Sequence, residues 1–469
     1  MTDLHEAAYR ALLHNLQRGP APAYTGLKEY VYVCPAHGIY PHQWLWDSCF
    51  HAIVMARFDS ELAKAELRTL LAGARPDGMV PQVISWAFLD RESPLGRAQK
   101  WLYERSHFAH LTQPPVLAIA LEEIFRHSED YRFLYEVLPA TKKHYDYLAS
   151  ERDPDGDGLL SIILPIESGM DHSPAFDMAL GFSSPTAWHH QWASLRLTLD
   201  YLRQGWDTKR ILEAGPFCVE DLAFNSFYAL GLHSLARLCR RLGDEIGAQA
   251  YQSRAEKTEQ AVLARCYDEE TGLFYSLSGT QEEPLRTPTV ASLLPLALPT
   301  LPESVVNSVI ERHLLDEHSF WPEYPVPSVS LAHPLFSPNS DALTQKGNLL
   351  TWLGNQIRKH HLIWRGPTWV NTNWFLARGL RRRGYSEIAD ALTIKTADMV
   401  RQSGFWEYYN PFTGKGQGAE HFGWSTLVVD MLDEATSPVS TRSFPTVAGK
   451  ASEERAVTAV LSPQTALQP

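Results

Sequence analysis

An all-α fold is what this sequence predicts, with helices paired along the chain into a solenoid or a closed α/α barrel. Three observations carry the prediction. Apolar residues recur at helical spacing over most of the chain, whereas strand signals are few and short, such as "GLFYS" at 272–276. Helical stretches come in pairs joined by short links, broken at Gly243 and at Gly384. Three helices open on similar polar and aromatic entries, "WLWDSCFHAIVMARF", "VEDLAFNSFYALGLHSL" and "GPTWVNTNWFLARGL". If each opens an inner helix, those entries gather at one rim. That favours the barrel, because a helical array with no site needs no matched entries.

Taken in order, amphipathic spacing predicts helices at 2–18, 47–58, 60–74, 113–127, 130–150, 188–203, 221–242, 244–265, 301–314, 346–360, 368–383, 385–402 and 424–433. Residues 75–111 and 315–345 are long, irregular and rich in Pro, Gly and Ser, as lids or binding loops are. Residues 434–469 shift to Ser, Thr, Pro and Ala and read as a mobile tail, which leaves 1–433 as a single domain.

Composition narrows the function classes. The 469-residue chain carries a formal net charge of −12, the wrong sign for a nucleic-acid footprint or for attraction to an anionic membrane. No apolar run reaches the roughly 18 residues of a membrane span. The amino terminus, "MTDLHEAAYRALLHNLQ", is charged throughout, unlike a signal peptide. Cysteines 34, 49, 218, 239 and 266 are scattered with no C-x-x-C pair, as expected of reduced thiols in a cytoplasmic protein. Self-association into a homo-oligomer stays open. The 14 tryptophans are the compositional signal, many of them beside polar residues, as in "HQWLWDS", "AWHHQW", "WRGPTWVNTNW" and "FWEYY". Core packing explains any one of them. As a set they suit a small sugar, whose C–H faces stack on indoles while its hydroxyls take hydrogen bonds.

Most catalytic motifs are missing. "DPDGDG" at 153–158 opens like a calcium loop, but the twelfth position, which requires a carboxylate, is Leu164. The stretch reads as a tight turn, and no metal is expected. The His pairs at 189–190 and 360–361 fall in helical pattern, where adjacent side chains point apart, and no H-E-x-x-H occurs. "TGKGQGAE" (413–420) is Gly-rich but lacks the lysine–serine ending of a phosphate loop. No G-x-S-x-G nominates a nucleophile. Carboxylates remain. Asp47, Glu167, Asp171, Glu407 and Glu420 lie in irregular stretches against apolar or aromatic sequence. Caps and turns explain most single loop carboxylates. Four loops with the same tryptophan-plus-carboxylate character point instead to glycoside cleavage. That chemistry needs one carboxyl kept protonated by an apolar surround and one kept ionised by water.

Together, "IESGMDHSP" (166–174), "WLWDSCFHA" (44–52), "TQPP" (112–115), "WRGPTWVNTNW" (364–374) and "GFWEYYNP" (404–411) with the later "FGWS" resemble glycoside hydrolase family 63. The likeness runs in order from about residue 28 to 432. It is nearest to short bacterial members that hydrolyse mannosylglycerate or glucosylglycerate; the trehalases of family 37 are similar more distantly. The resemblance implies an (α/α)6 barrel with long irregular lid loops at one rim, and 1–433 as its catalytic domain. It implies an inverting α-glycosidase acting on a small α-glucoside or α-mannoside, without metal or organic cofactor. It places the general acid at Asp171 and the general base at Glu407. It lines the sugar site with Tyr40, Trp44, Trp46, Asp47, Gln113, Gly169, Arg365 and Trp369. Glu167 reads as a structural acid that braces the turn through backbone N–H groups.

Three positions depart from the family pattern: Ile166 replaces a Trp, His172 an Asn and Ile363 an aromatic. The R-P-T-D-like segment that grips a glycerate carboxylate finds its nearest counterpart in "SPTAWHH" (184–190), without Arg. A replacement grip could come from the lid cations Arg91, Arg97, Lys100 and Arg105. Two other functions are compatible with the residues: a sugar epimerase on the same barrel, which leans on paired His bases, and a catalytically inactive sugar-binding protein.

Overall fold

A computed structural model describes residues 3–86, 94–183, 187–339 and 362–436. The expected helix at 346–360, the His pair at 360–361, Arg91 and nearly all of the tail lie outside the described residues.

The protein is mostly helical. The three matched entries open the helices Leu45–Met55, Leu222–Arg241 and Val370–Arg382. Every residue of the first is buried, and all but Arg382 of the third. The second leaves only Leu230, Arg237, Arg240 and Arg241 outside the core, so these three lie inside, polar residues included. Each is followed by an amphipathic partner that packs on it: Ser60–Ala72, Glu245–Ala261 and Ser386–Ser403. Helix Leu45–Met55 packs on Leu117–Ser128, which packs on Leu222–Arg241. That helix meets the short 3-10 helix Val290–Ala297, which meets Val370–Arg382. Val370–Arg382 packs on Leu427–Ala435, which returns to Leu45–Met55. A Cβ on Gly379 would collide with Ala297, so glycine sets that approach. Aspartates 59, 130, 207, 221 and 244 cap helices by accepting first-turn N–H groups.

Several boundaries differ from expectation. The first helix stops at His14, and residues assigned to its end form the strand Leu16–Pro20, antiparallel to Glu29–Val33. Gly19 and Pro20 cannot extend a helix cheaply. The stretch 75–111, expected to be irregular, contains the helix Pro94–Arg105, and a short helix at Thr208–Ala214 was not anticipated. The helices expected at 244–265 and 301–314 end in π turns, Val262–Cys266 and Ile310–Leu314. The "GLFYS" strand reduces to Leu273–Phe274, paired with Tyr267–Asp268. The largest sheet joins four two-residue strands, in the order Glu283–Pro284, Leu277–Ser278, Val219–Glu220, Ser161–Ile162. Among the described residues no helix is long and apolar enough to cross a membrane. All five cysteines are free.

Candidate active site

The segment bearing Asp171 leaves the strand Ser161–Ile162, passes through the 3-10 helix Pro165–Ser168 and turns at Gly169 with φ 70°. A Cβ on Gly169 would lie 2.5 Å from the Trp46 ring, so the glycine serves both the turn and the indole packed on it. Glu167 faces away from this chemistry. Arg152 grips it with two nitrogens, at 2.9 and 2.6 Å, and the Thr112 and Ile163 N–H groups donate to it at 3.0 and 2.8 Å. It is the brace that the sequence suggests, with Arg152 as an unforeseen partner. Thr112 belongs to "TQPP"; the next residue, Gln113, accepts a hydrogen bond from Trp46 N–H at 3.3 Å.

Glu407 sits in the hairpin Trp406–Tyr409 and Gly416–Glu420, whose register shifts between Trp406 and Tyr408. Gly418 and Ala419 oppose the single residue Glu407, a bulge in the partner strand. The Ala419 N–H donates to Glu407 Oε2 at 3.1 Å, and a Cβ on Gly418, at φ 79°, would stand 2.6 Å from that oxygen. The Gly-rich stretch 413–420 is thus the cradle of a carboxylate and not of a phosphate. Tyr40 O–H donates to Glu407 Oε1 at 3.4 Å, and Trp424 N–H donates to the Glu407 carbonyl at 3.0 Å. Glu420 ends the hairpin, exposed and apart from this chemistry.

Aromatic rings join the two loops. Trp364 stacks on Trp369 at 3.7 Å, Trp369 meets Tyr408 and Trp424, and Trp424 meets Trp46 edge-on at 5.4 Å. Tyr40 contacts Trp44 and Phe422. Trp364 holds φ 64°, a left-handed backbone that a bulky residue rarely adopts. Trp44 and Trp369 occupy the N-cap positions of two inner helices, and neither indole caps its own helix. Their indole Nε1 atoms and Asp47 Oδ1 are buried without a hydrogen-bond partner. Unpaired donors and acceptors beside aromatic faces are what sugar hydroxyls require.

Burial pushes three carboxyls up: Asp47 to about 7, Asp171 to about 7 and Glu407 to about 8. The charge of Asp171 also raises Tyr40, Asp47 and Glu407, so the four groups share one space. Water was expected to keep Glu407 ionised, yet it is only 6 % exposed. The Ala419 N–H and Tyr40 O–H favour its charged form, but burial outweighs them and leaves Glu407 raised. On Asp171 the opposing influence is its own backbone N–H. Acids this close titrate as a set, because the first charge raises the cost of the next.

Arg365 is committed elsewhere. Its terminal nitrogens donate to both Asp177 oxygens at 2.9 and 2.6 Å, and one also meets His190 at 3.1 Å. His190 lies edge-on to His172, the neighbour of Asp171. Lys100 pairs with Glu104 at 3.8 Å and Arg105 covers the Trp101 ring, while Arg97 is exposed. Trp364, Tyr408, Phe422 and Trp424 were not among the residues nominated from sequence, although all four stand in or beside the quoted motifs.

The family model of the mannosylglycerate hydrolase MGH1-like glycoside hydrolase domain matches residues 40–425. The chain is 31% identical over 450 residues to the mannosylglycerate hydrolase of Thermus thermophilus, covering 88% of this chain and 97% of that one. It is 30% identical over 439 residues to the mannosylglycerate hydrolase of Rubrobacter radiotolerans, covering 86% and 93%. It is also similar to the crystal structure of a GH63 mannosylglycerate hydrolase from Thermus thermophilus in complex with Tris and D-glycerate. There the TM-score is 0.75 at 27% identity, over 92% of this chain and 100% of that one. The chain belongs to the MGH1-like glycoside hydrolases of glycoside hydrolase family 63.

Proposed function

We propose that this glycoside hydrolase cleaves a small α-mannoside or α-glucoside with inversion at the anomeric carbon. One observation carries the reading. The charge of Asp171 reaches Glu407 in one aromatic-walled space, and burial raises both carboxyls. Asp171 donates its proton to the glycosidic oxygen as the bond to the anomeric carbon breaks. Glu407 takes a proton from the water that attacks the opposite face. The cycle ends with Asp171 ionised and Glu407 protonated, and exchange with solvent resets both. Inversion asks for carboxyls about 6.5–9.5 Å apart, leaving room for that water.

In this reading the sugar ring stacks among Trp44, Trp46 and Trp369. Asp47 and the two unpaired indole N–H groups take its hydroxyls. Gln113 and Gly169 fix Trp46, Tyr40 orients Glu407, and Arg365 shapes the rim through Asp177. The cycle of inner-helix contacts supports an (α/α)6 barrel, and we read 1–433 as one catalytic domain with lid loops at one rim. The composition supports a cytoplasmic enzyme, and the mechanism uses no metal or organic cofactor. The mannosylglycerate hydrolase relatives support glycerate as leaving group, although the family's carboxylate grip is missing from 184–190.

The test offers α-mannosylglycerate, α-glucosylglycerate and their glycerol counterparts, and follows the first product by NMR. The β anomer should appear first, with the mass of one added water. An initial α anomer would mean retention and would remove Glu407 as base. Binding without turnover would restore the inactive sugar-binding alternative.

A further inference from the structure

We propose that the outer face of the helix Ala187–Arg203 is an interface on which a second copy of this chain packs about a two-fold axis. Five large apolar side chains lie on that face. They are Trp188, Trp192, Leu195, Leu199 and Leu202, each between 42 % and 63 % exposed. At the α-helical period they fall within an arc of about 80°. His190, Ala193, Leu197 and Tyr201 point the other way and are buried. The helix thus has two apolar faces, and its own chain covers one of them. A helix that is apolar on opposite sides has to be covered on both. Among the described residues no other helix exposes more than two large apolar side chains. Trp188 and Trp192 belong to the tryptophans that suit a sugar when the sequence is read alone, yet both point outward here.

The spacing of the stripe names its occupant. From Trp188 to Leu202 it steps by four, three, four and three residues, so reversing its direction nearly reproduces it. Laid antiparallel on a second copy with Leu195 at the axis, Trp188 falls opposite Leu202 and Trp192 opposite Leu199. Each tryptophan meets a leucine, wide against narrow, and the same pairs recur on both sides of the axis, as a two-fold contact demands. Antiparallel packing also sets opposite ends of the two helix dipoles side by side. The exposed parts of the five side chains amount to about 600 Å² on each copy, or about 1,200 Å² across the pair, where specific interfaces begin. A patch of that size is at the upper end for a monomer. Arg196, Asp200 and Arg203 flank the stripe, and Asp200 pairs with Arg203 at 2.6 Å. An apolar centre inside a polar rim is the pattern of a homodimer, and this centre carries no charge to select a partner of opposite sign.

The covered face of the same helix reaches toward the site. His190 Nε2 lies 2.9 Å from Asp177 and 3.1 Å from Arg365. Tyr201 O–H donates to the Ile163 carbonyl at 2.7 Å, in the segment that leads to Glu167 and Asp171. A second copy packed on the outer face would therefore steady the support of that segment, whatever glycoside the enzyme cleaves.

The experiment follows the full chain by sedimentation velocity across a dilution series. The wild type should sediment as a dimer at the concentrated end. Trp192→Asp and Leu199→Asp each put two charges into the pair and should weaken the dimer at least about thirtyfold. Both should keep the helical circular dichroism of the wild type, because each residue is at the surface of a single copy. Ile246→Asp, at an exposed apolar residue of the helix Glu245–Ala261, should leave the dimer unchanged. Cross-linking reads the register. A short bis-maleimide should join Leu195→Cys to its own copy. It should not join Trp188→Cys to its own copy, about 20 Å away along the helices, but should join it to Leu202→Cys when the two variants are mixed. The wild type, whose five free cysteines are buried or half-buried, supplies the background. A wild type that stays monomeric at every concentration would overturn the proposal, whether residues 340–361 or 437–469 of the same chain cover the stripe or nothing does. So would a dimer that survives both aspartate variants, or a dimer in which Leu195→Cys fails to cross-link.

Discussion

Glu167 and Asp171 stand in one short loop and meet opposite surroundings. Glu167 has no exposed surface and accepts two nitrogens of Arg152 and two backbone N–H groups. Asp171 keeps part of its surface open to the site, and its carboxyl is pushed to about 7 by lost solvation, opposed by its own backbone N–H. The difference teaches that burial alone does not make a catalytic acid. Burial with a matching cation makes a brace; burial without one makes a group that holds its proton near neutrality. The Glu167 contacts tie the loop that carries Asp171 to Arg152, Thr112 and Ile163.

The largest expected effect comes from removing the proton donor. Asp171→Asn should lower kcat by about 10²–10⁴-fold or more, with KM little changed, because the proton matters mainly in the transition state. Substrates whose leaving groups need no protonation should be partly spared. Steady-state kinetics on an ordinary glycoside decides it: a near wild-type rate would take the acid role from Asp171 and dissolve the contrast.

Glu167→Gln should act on stability first. It strands the buried Arg152 charge, which costs about 3–5 kcal/mol by the usual range for a broken buried pair. Chemical denaturation would read this, and the surviving activity should follow the folded fraction. A loss under about 1 kcal/mol would put the pair in the class of weak surface bridges and would mean that Arg152 finds another partner.

The pH profile sharpens the comparison at the catalytic end. In the proposed mechanism, turnover needs Asp171 protonated and Glu407 ionised. The pair therefore gives a bell for kcat/KM, with limbs near about 7 and about 8 that belong to the pair and not to either residue. Asp171→Asn should flatten the alkaline limb in its residual activity. An optimum near pH 5 would show that burial does not set these values in the working enzyme.

Much of this contrast is legible in the sequence, and the rest is hidden for a physical reason. The inner helices show through helical spacing and through their matched polar and aromatic entries, "WLWDS" and "GPTWVNTNW". Asp171 and Glu407 show because acids set among Trp, Gly and Pro are unusual. Arg152 does not show: it sits at a helix end fifteen residues before Glu167, and only the fold turns it inward. Gly418 was weighed against phosphate loops, whereas its use is a close approach within a hairpin that has no fixed spacing signature. The strand Leu16–Pro20 was lost inside a helical pattern because its partner, Glu29–Val33, decides its state from outside.

The smallest effect is the most discriminating, because it makes the two acids differ in sign. Asp171 and Glu407 have folded values of about 7 and about 8, above the ordinary values of about 3.9 and 4.3. The folded protein therefore holds those protons more tightly than the unfolded chain does. The resulting stability is full below the unfolded values and is lost as pH rises through the folded ones, between about pH 4 and 8. Asp171→Asn keeps the shape without the charge. It should leave Tm nearly unchanged at pH 5 and raise it over the wild type by a few degrees at most, roughly 1–3 °C, at pH 9. Glu167→Gln should lower Tm at both. Thermal melts of the three proteins at the two pH values read the outcome. If Asp171→Asn lost stability at pH 9 as Glu167→Gln does, Asp171 would be a second brace, and the acid would have to be sought in Asp47, the remaining carboxyl pushed to about 7 in the same space.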